Sequence, residues 1–504
     1  MSYFKRNLII SLILFSITFF IGLYSIINNQ QFRFMGGMAE EYFELGINLD
    51  QLGRFHPDED LAYVFRPPGY PCFIASVIKL RRVFSSHAVN VGQFFQAVYI
   101  AQSLLLSFAV VILFIWMSIY FSRVNAGFIS LLFGLSPYFY VLIGLLHYEI
   151  LHVFLTILSS FVLDWTLRHK KVSPYWLITA GALWGVATLV RPMTLILPAI
   201  ILVLTFIYFR MNCKKTLKVT FLFTIGMILV IGPYTFRNYH LTNSFIPVNA
   251  QGGTALWVGS VIKLEKDPNH YNFWTLVYNK EVSVQQDEIW RELQLERINV
   301  TDYKSYERHF EIFLRNNTAI DHAYREKAIE NIINQPKVYL ANCIINFSTY
   351  NLDINSIFID LFQAINHCTN FTSYSKRWLQ KGIPSQCNPS PMSGNFKYFI
   401  YILSTLGVMG ILIAIIQNNN FFLVPVFIYL CFGLAHAITY MDLMYYYIKI
   451  PFLYIFAGYF INFIQKYRII IPIFDVKLSP SHIINGVLLL YSAYLTSAVI
   501  FKIV

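Results

Sequence analysis

The sequence predicts an all-α, polytopic membrane protein with about eleven transmembrane helices. Three observations carry that prediction. Of 504 residues, 56% are hydrophobic and 13% charged, about half the usual charged share, and the mean hydropathy is +0.53. Apolar runs able to cross a roughly 30 Å hydrocarbon core recur along the chain. Lysines and arginines gather in short turns that alternate with acidic or neutral ones.

The first run, 8–27, follows Lys5 and Arg6 and leads into Ser25-Ile26-Ile27-Asn28-Asn29 without a small-residue cleavage site. It reads as an uncleaved first helix rather than a removable signal peptide. The loop 28–70 carries seven acids (Glu40, Glu41, Glu44, Asp50, Asp58, Glu59, Asp60) against three bases (Arg33, Arg54, Arg66). Within it, Tyr42, Leu45, Leu49 and Leu52 recur at three- to four-residue spacing, which predicts an interfacial helix over 38–52. The loop closes on Arg66-Pro67-Pro68-Gly69-Tyr70-Pro71, a rigid turn that fixes an arginine where the chain returns to the membrane. The apolar stretch 72–84 is too short to span and belongs at the surface.

Further spans follow at 93–118, 126–146, 150–164, 174–190, 193–209 and 219–235, then at 396–416, 421–438, 445–464 and 483–501. Three modules result: an N-terminal transmembrane part, 1–236, an external segment, 237–395, and C-terminal helices, 396–504. In the external segment, 285–340 holds ten acids and eight bases, the balance of solvated helices on a small subdomain.

The windows 1–7, 119–125, 165–173, 209–218 and 465–468 hold twelve Lys/Arg and no acid. The positive-inside rule makes these turns, and the N-terminus, cytoplasmic. Charge here sets topology, so the net charge of +12 gives no reason to invoke nucleic acid. Cys343, Cys368 and Cys387 fall outside the reducing side, with Cys368 and Cys387 as the working disulfide pair, although connectivity is not legible from sequence. The triplets at Asn299, Asn316, Asn346 and Asn370 match the glycosylation pattern and carry meaning only in a glycosylating compartment.

One arginine stands out physically. Arg191 sits between two runs of about 17 residues, each barely long enough to span, so its guanidinium belongs at or below the interface. A charge there costs about 2.5–3.5 kcal/mol, which points to an anionic partner; the bland alternative is an arginine snorkelling to lipid phosphate. His147, Glu149 and His152 cluster, with His436 and Asp442 on the same side. Such pairs in membrane turns usually cap or face the interface, so the reading assigns no cofactor and keeps a divalent ion as the lesser alternative.

Five stretches, in order, then resemble the GT-C-type glycosyltransferases, in particular the family 39-like enzymes related to protein O-mannosyltransferases and the lipid A aminoarabinose transferase. They are Tyr42-Phe43-Glu44-Leu45 with Phe65-Arg66-Pro67-Pro68-Gly69-Tyr70-Pro71; His147-Tyr148-Glu149-Ile150-Leu151; Gly185-Val186-Ala187-Thr188-Leu189-Val190-Arg191-Pro192; Pro233-Tyr234-Thr235-Phe236-Arg237-Asn238-Tyr239 leading to Gly252-Gly253-Thr254; and Asp442 with Tyr445 ahead of Pro451-Phe452-Leu453. Glu40, Glu41, Arg66, Glu149, Arg191, Arg237 and Asp442 all fall on the outer side of the map drawn from Lys/Arg alone.

The resemblance implies transfer of a sugar from a polyprenyl-phosphate carrier to a lipid, glycan or protein acceptor on the extracytoplasmic face, with inversion, in a bacterial inner or plasma membrane. It places the catalytic carboxylate in the first loop as general base and gives the lipid phosphate leaving group to arginines, which bind phosphate bidentately. Substrate contacts are then expected from Arg66, Tyr70, Glu149, Arg191, Arg237, Asn238, Asp442 and Lys449. Two positions depart from the family pattern. Met38 stands where the family has its catalytic Asp, so Glu41, nearly one helical turn away, or Glu40 is expected to take the role. Met444 stands where an arginine is usual, and Lys449 offers a point charge nearby. The rivals are a flippase of lipid-linked sugars, which would favour two similar halves and mid-membrane charges, and a glycan polymerase or ligase.

Overall fold

The computed structural model describes residues 2–28, 38–83, 91–144, 146–168, 173–261, 280–296, 298, 303–352, 403, 405–414, 423–439 and 447–466. These residues are mainly helical, with no strand among them. Among the described residues, four helices are long and apolar enough to cross a membrane: Asn7–Ile27, Gln93–Met117, Glu149–Arg168 and Cys213–Thr242. Of the shorter apolar helices, Pro174–Val190, Pro192–Tyr208 and Leu423–Ile438 pack against them, and Thr405–Ala414 meets Leu453 and Phe456.

In chain order, α1 is Ser2–Asn28, α2 Met38–Leu52, α3 Gly69–Val83, α4 Val91–Met117, α5 Arg123–Gly134, α6 Pro137–Ile143, α7 Glu149–Arg168, α8 Pro174–Val190, α9 Leu197–Tyr208 and α10 Cys213–Thr242. The expected span 126–146 is two helices, because Pro137 has no N–H to continue α5 and instead opens α6, where a first-turn donor is not needed. The expected span 193–209 likewise begins as a 3-10 turn, Pro192–Ile196, before α9. The interfacial helix expected over 38–52 is α2, but its stripe faces protein: Tyr42, Phe43 and Leu45 are buried, and only Leu52 at its end is exposed.

The long α10 sets much of the geometry. Thirty residues at about 1.5 Å each make roughly 45 Å, more than a roughly 30 Å core requires, so Arg237 and Asn238 ride on a rigid helix extension rather than a loop. Its inner stretch lies flush against α8: a Cβ at Gly181 would sit 1.9 Å from the Phe223 carbonyl oxygen, and one at Gly226 2.1 Å from that of Ile178. Hydrocarbon cannot drive helices together by hydrophobicity, so such glycine contacts supply the close packing instead.

A second group of helices follows: α11 Gly252–Val261, α12 Lys280–Glu292, α13 Tyr303–Arg315, α14 Asn317–Asn334 and α15 Pro336–Leu352. Its core is Trp257, Ile289, Trp290, Ile320 and Tyr324, with the Trp257 and Tyr324 rings stacked 4.4 Å apart. Gly253 lets α11 touch α14, since a Cβ there would lie 1.9 Å from the Asp321 carbonyl oxygen, and the Thr254 amide donates to Asp321 Oδ1 at 2.9 Å. The last described helices are α16 Thr405–Ala414, α17 Leu423–Ile438 and α18 Ile450–Lys466. The stretch 483–501, Cys368, Cys387, Asn299 and Asn370 lie outside the described residues.

The two ends of α7 differ in character. At the Arg168 end, Asp164 accepts from Trp116 Nε1 at 2.8 Å, Tyr120 Oη at 2.5 Å and Arg168 Nε at 3.0 Å, a saturated, buried clamp. At the Glu149 end, about 22 Å along the helix from that clamp, a carboxylate oxygen has no hydrogen-bond partner among the described residues.

Candidate functional site

At the Glu149 end, α2, α3, α7 and α8 bring the first three sequence stretches into contact around Tyr42. Its ring meets Tyr70 edge-on at 5.4 Å, Tyr148 at 5.7 Å and His147 at 6.5 Å. Tyr70 is fully buried in the first turn of α3, where Pro71 is tolerated because its missing N–H would have no partner. The Tyr70 hydroxyl donates to Gln102 Oε1 at 3.0 Å, and Gln102 Nε2 donates to the Ile143 carbonyl at 2.9 Å, closing the end of α6. Tyr70 is thus a structural wall of the mouth.

Both Arg-Pro turns abut at Gly69. A Cβ there would lie 2.7 Å from the Val190 amide nitrogen and 2.8 Å from the Leu189 carbonyl carbon, so only glycine lets the turns close. Arg191 ends α8 in an extended conformation, φ −148° and ψ 117°, as the residue before a proline prefers. Its guanidinium hydrogen-bonds the Tyr148 hydroxyl and lies over that ring, 4.9 Å from the centroid.

Glu41 is held on both oxygens. Tyr63 Oη donates to Oε1 at 2.8 Å and Arg66 Nε to Oε2 at 2.8 Å, with the pair about 15% exposed. Arg66 also lies over the rings of Tyr42 and Phe65, at 5.7 and 4.4 Å. Burial works against the Arg66 charge, and Glu41, then Tyr42 and Tyr63, more than offset it, so the guanidinium holds its proton more tightly than usual. Burial, then the Glu41 charge, pushes the Tyr63 phenol well above its ordinary value, so at neutral pH it is a donor. Burial raises Tyr42 in the same way, and the Arg66 charge opposes that rise.

Glu149, the first residue of α7, is buried; His147 Nδ1 lies 3.0 Å from its Oε1, and its Oε2 has no hydrogen-bond partner among the described residues. Three residues on, His152 Nδ1 lies 2.8 Å from Tyr447 Oη, which itself packs 6.4 Å from Tyr148. Through Tyr447 the segment ahead of α18, with buried Lys449, reaches the mouth. Two guanidinium groups and a buried carboxylate on an aromatic wall can bind an anion and accept a proton side by side.

Arg237 and Asn238 are tied to the first loop and to the segment after α10 by hydrogen bonds to backbone. Arg237 Nη1 donates to the Tyr63 carbonyl at 3.1 Å and to Asn238 Oδ1 at 2.9 Å, while Asn238 Nδ2 donates to the carbonyls of Ile246 and Val248. The segment so held pairs with the rim of the first loop, where the Ala250 amide donates to the Val64 carbonyl at 2.9 Å and Asn249 Nδ2 to that of Phe65 at 3.1 Å. The fourth stretch therefore braces the turn that carries Arg66. Replacing the fully buried Asn238 by Leu is expected to cost about 2–3 kcal/mol, read as a fall in the unfolding midpoint of the detergent-solubilised protein.

The Glu40 side chain and Asp442 lie outside the described residues. Tyr63 and Gln102 were missed in the sequence. A glutamine inside the apolar run 93–118 was a signal for Gln102, because a polar group in a span needs a partner; Tyr63 had none.

No protein-family model matches the chain, and no curated protein matches it. Solved structures do. The oligosaccharyltransferase of Archaeoglobus fulgidus in its apo form matches with a TM-score of 0.54 at 12% identity, over 99% of this chain and 57% of that one. The same protein in complex with Zn and sulfate matches at 0.52 and 12%, over 97% and 53%. ArnT from Cupriavidus metallidurans, bound to undecaprenyl phosphate, matches at 0.37 and 12%, over 93% and 79%. At these identities the likeness is one of fold: the chain has the helical fold of the oligosaccharyltransferase and spans a little over half of its length.

Proposed function

We propose that this GT-C-type chain is an integral-membrane glycosyltransferase that moves a sugar from a polyprenyl-phosphate carrier to an acceptor on the extracytoplasmic face. The observation that carries the reading is the convergence of Arg66, Arg191 and the buried Glu149 on the Tyr42 and Tyr148 rings, at the end of α7 away from the basic turns. A third structure of the Archaeoglobus fulgidus oligosaccharyltransferase holds an inhibitory peptide and a dolichol-phosphate, which agrees with a lipid-phosphate donor and a separate acceptor.

In this reading the Arg191 guanidinium, carried on Tyr148, meets the carrier phosphate as its charge grows, and Arg66 adds a second positive centre. Glu41, donor-bound on both oxygens, serves to hold Arg66 in place. Tyr70, Arg237 and Asn238 shape the mouth, Lys449 and Asp442 remain proposed substrate-side groups, and Glu40 remains a proposed alternative carboxylate base. The apolar faces between the spans take the carrier chain.

A Zn ion in one structure of that oligosaccharyltransferase raises the question of a metal here. The described donors at the mouth are the His147 and Glu149 pair, and no group of three or more His, Cys, Asp or Glu among the described residues could hold a metal ion. That falls short of a zinc ligand set, and no step runs through one.

The test is transfer by the reconstituted protein of labelled sugar from a panel of polyprenyl-phosphate sugars to a membrane extract. Transfer of label supports the reading. Movement of the carrier across the bilayer without a new glycosidic bond overturns it in favour of a flippase.

A further inference from the structure

The geometry points to Glu149 as the proton acceptor of the reaction, held in place by His147; the assignment rests on the glycosyltransferase reading above. The described carboxylates near the mouth are not equivalent. Glu41 has a donor on each oxygen, Asp58 accepts from the Asp60 amide at 3.0 Å and from Arg315 at 2.5 Å, and Asp50, whose Oδ2 makes no hydrogen bond, is balanced by the Arg82 charge at 2.5 Å. Glu149 is 2% exposed, with Oε1 against His147 Nδ1 and Oε2 without a hydrogen-bond partner among the described residues. A buried polar atom left unsatisfied is rare and costly, and a reactive position is one of the few reasons to retain it.

Its neighbours agree. Glu149 follows Tyr148, whose hydroxyl holds Arg191, and it lies close enough to Tyr42 and Tyr70 to bear on their phenols. Proton acceptor and anion holder are therefore adjacent in the chain and joined through one aromatic ring. As a carboxylate Glu149 can only accept, so His147 Nδ1–H donates to Oε1 and leaves Oε2 as the receiving atom. His147 acts through Glu149 and is a positioning residue.

In the step, the acceptor O–H proton passes to Glu149 Oε2 while the acceptor oxygen forms a bond to the anomeric carbon. The bond from that carbon to the carrier phosphate oxygen breaks, and its electron pair leaves with the phosphate, beside Arg191. Glu149 afterwards returns its proton to water. A positioned base of this kind typically supplies about 10²–10⁴-fold.

The full-length protein in liposomes, given tritiated undecaprenyl-phosphate sugars and a membrane extract as acceptor, tests the assignment. Glu149→Gln is expected to lower kcat by about 100-fold or more and to abolish the acidic limb of its pH profile, with undecaprenyl phosphate binding within about threefold of wild type. Glu149→Asp keeps the limb at a reduced rate, and His147→Asn lowers kcat by roughly tenfold and moves the limb. A Glu149→Gln protein that keeps more than about a third of the wild-type rate overturns the assignment alone, and so does one that loses rate and binding together, because burial then explains the loss. A wild-type protein that transfers nothing from any carrier overturns the glycosyltransferase reading, and this assignment with it.

Discussion

Arg191→Ala is expected to lower sugar transfer by about 10²–10³-fold, or roughly 2.7–4 kcal/mol of transition-state stabilisation, while leaving the fold intact. Arg191 closes α8 in an unstrained extended conformation and is only partly buried, so its removal opens no large cavity. What is lost is the planar cation stacked on Tyr148, at the mouth where the leaving phosphate is proposed to gain charge. Arg191→Lys restores the charge but not the planar fork, and is expected to recover only part of the rate. The measurement is kcat and KM on the carrier panel: a lipid-snorkelling arginine would leave kcat near wild type, and that result removes Arg191 from the site.

Glu41→Gln is expected to destabilise the protein by about 3 kcal/mol. The carboxamide still accepts from Tyr63, but Arg66 keeps its full charge in a pocket about 15% exposed and loses the anion that balances it. This pair joins α2 to the Arg66 turn across a sequence separation of 25, beside the Tyr42 ring that meets Arg66 and Tyr70, so the first loop should loosen where the pair is lost. A double-mutant cycle with Arg66→Gln, read as unfolding midpoint in detergent, should give a coupling energy near the whole single-mutant effect. Simple additivity would show that the pair does not join the two elements.

The overlap between sequence and structure follows the range of each interaction. Hydropathy is summed over neighbours, so runs such as 174–190 and 421–438 match helices Pro174–Val190 and Leu423–Ile438 within two residues. Where local chemistry cuts a run, as Pro137 does, hydropathy overlooks the break although the proline is in plain view. The first, second and third stretches do meet around Tyr42, which five ordered motifs made reasonable before any coordinates. Arg237 and Asn238 show the opposite: their motif was legible, but their hydrogen bonds to backbone 174 residues away and to the loop 246–248 were not, because residue type does not name a long-range partner.

Membrane class, helical architecture and the Arg-Pro turns were thus written in the chain, because apolar run length and proline stereochemistry act over a few residues. The state of each acid was not. Glu41 and Glu149 look alike as letters, yet one meets Tyr63 and Arg66 on both oxygens and the other is buried with Oε2 facing no donor among the described residues. That difference arises when α2, α3, α7 and α8 pack together, since a carboxylate's role depends on which donors other elements bring within hydrogen-bond reach.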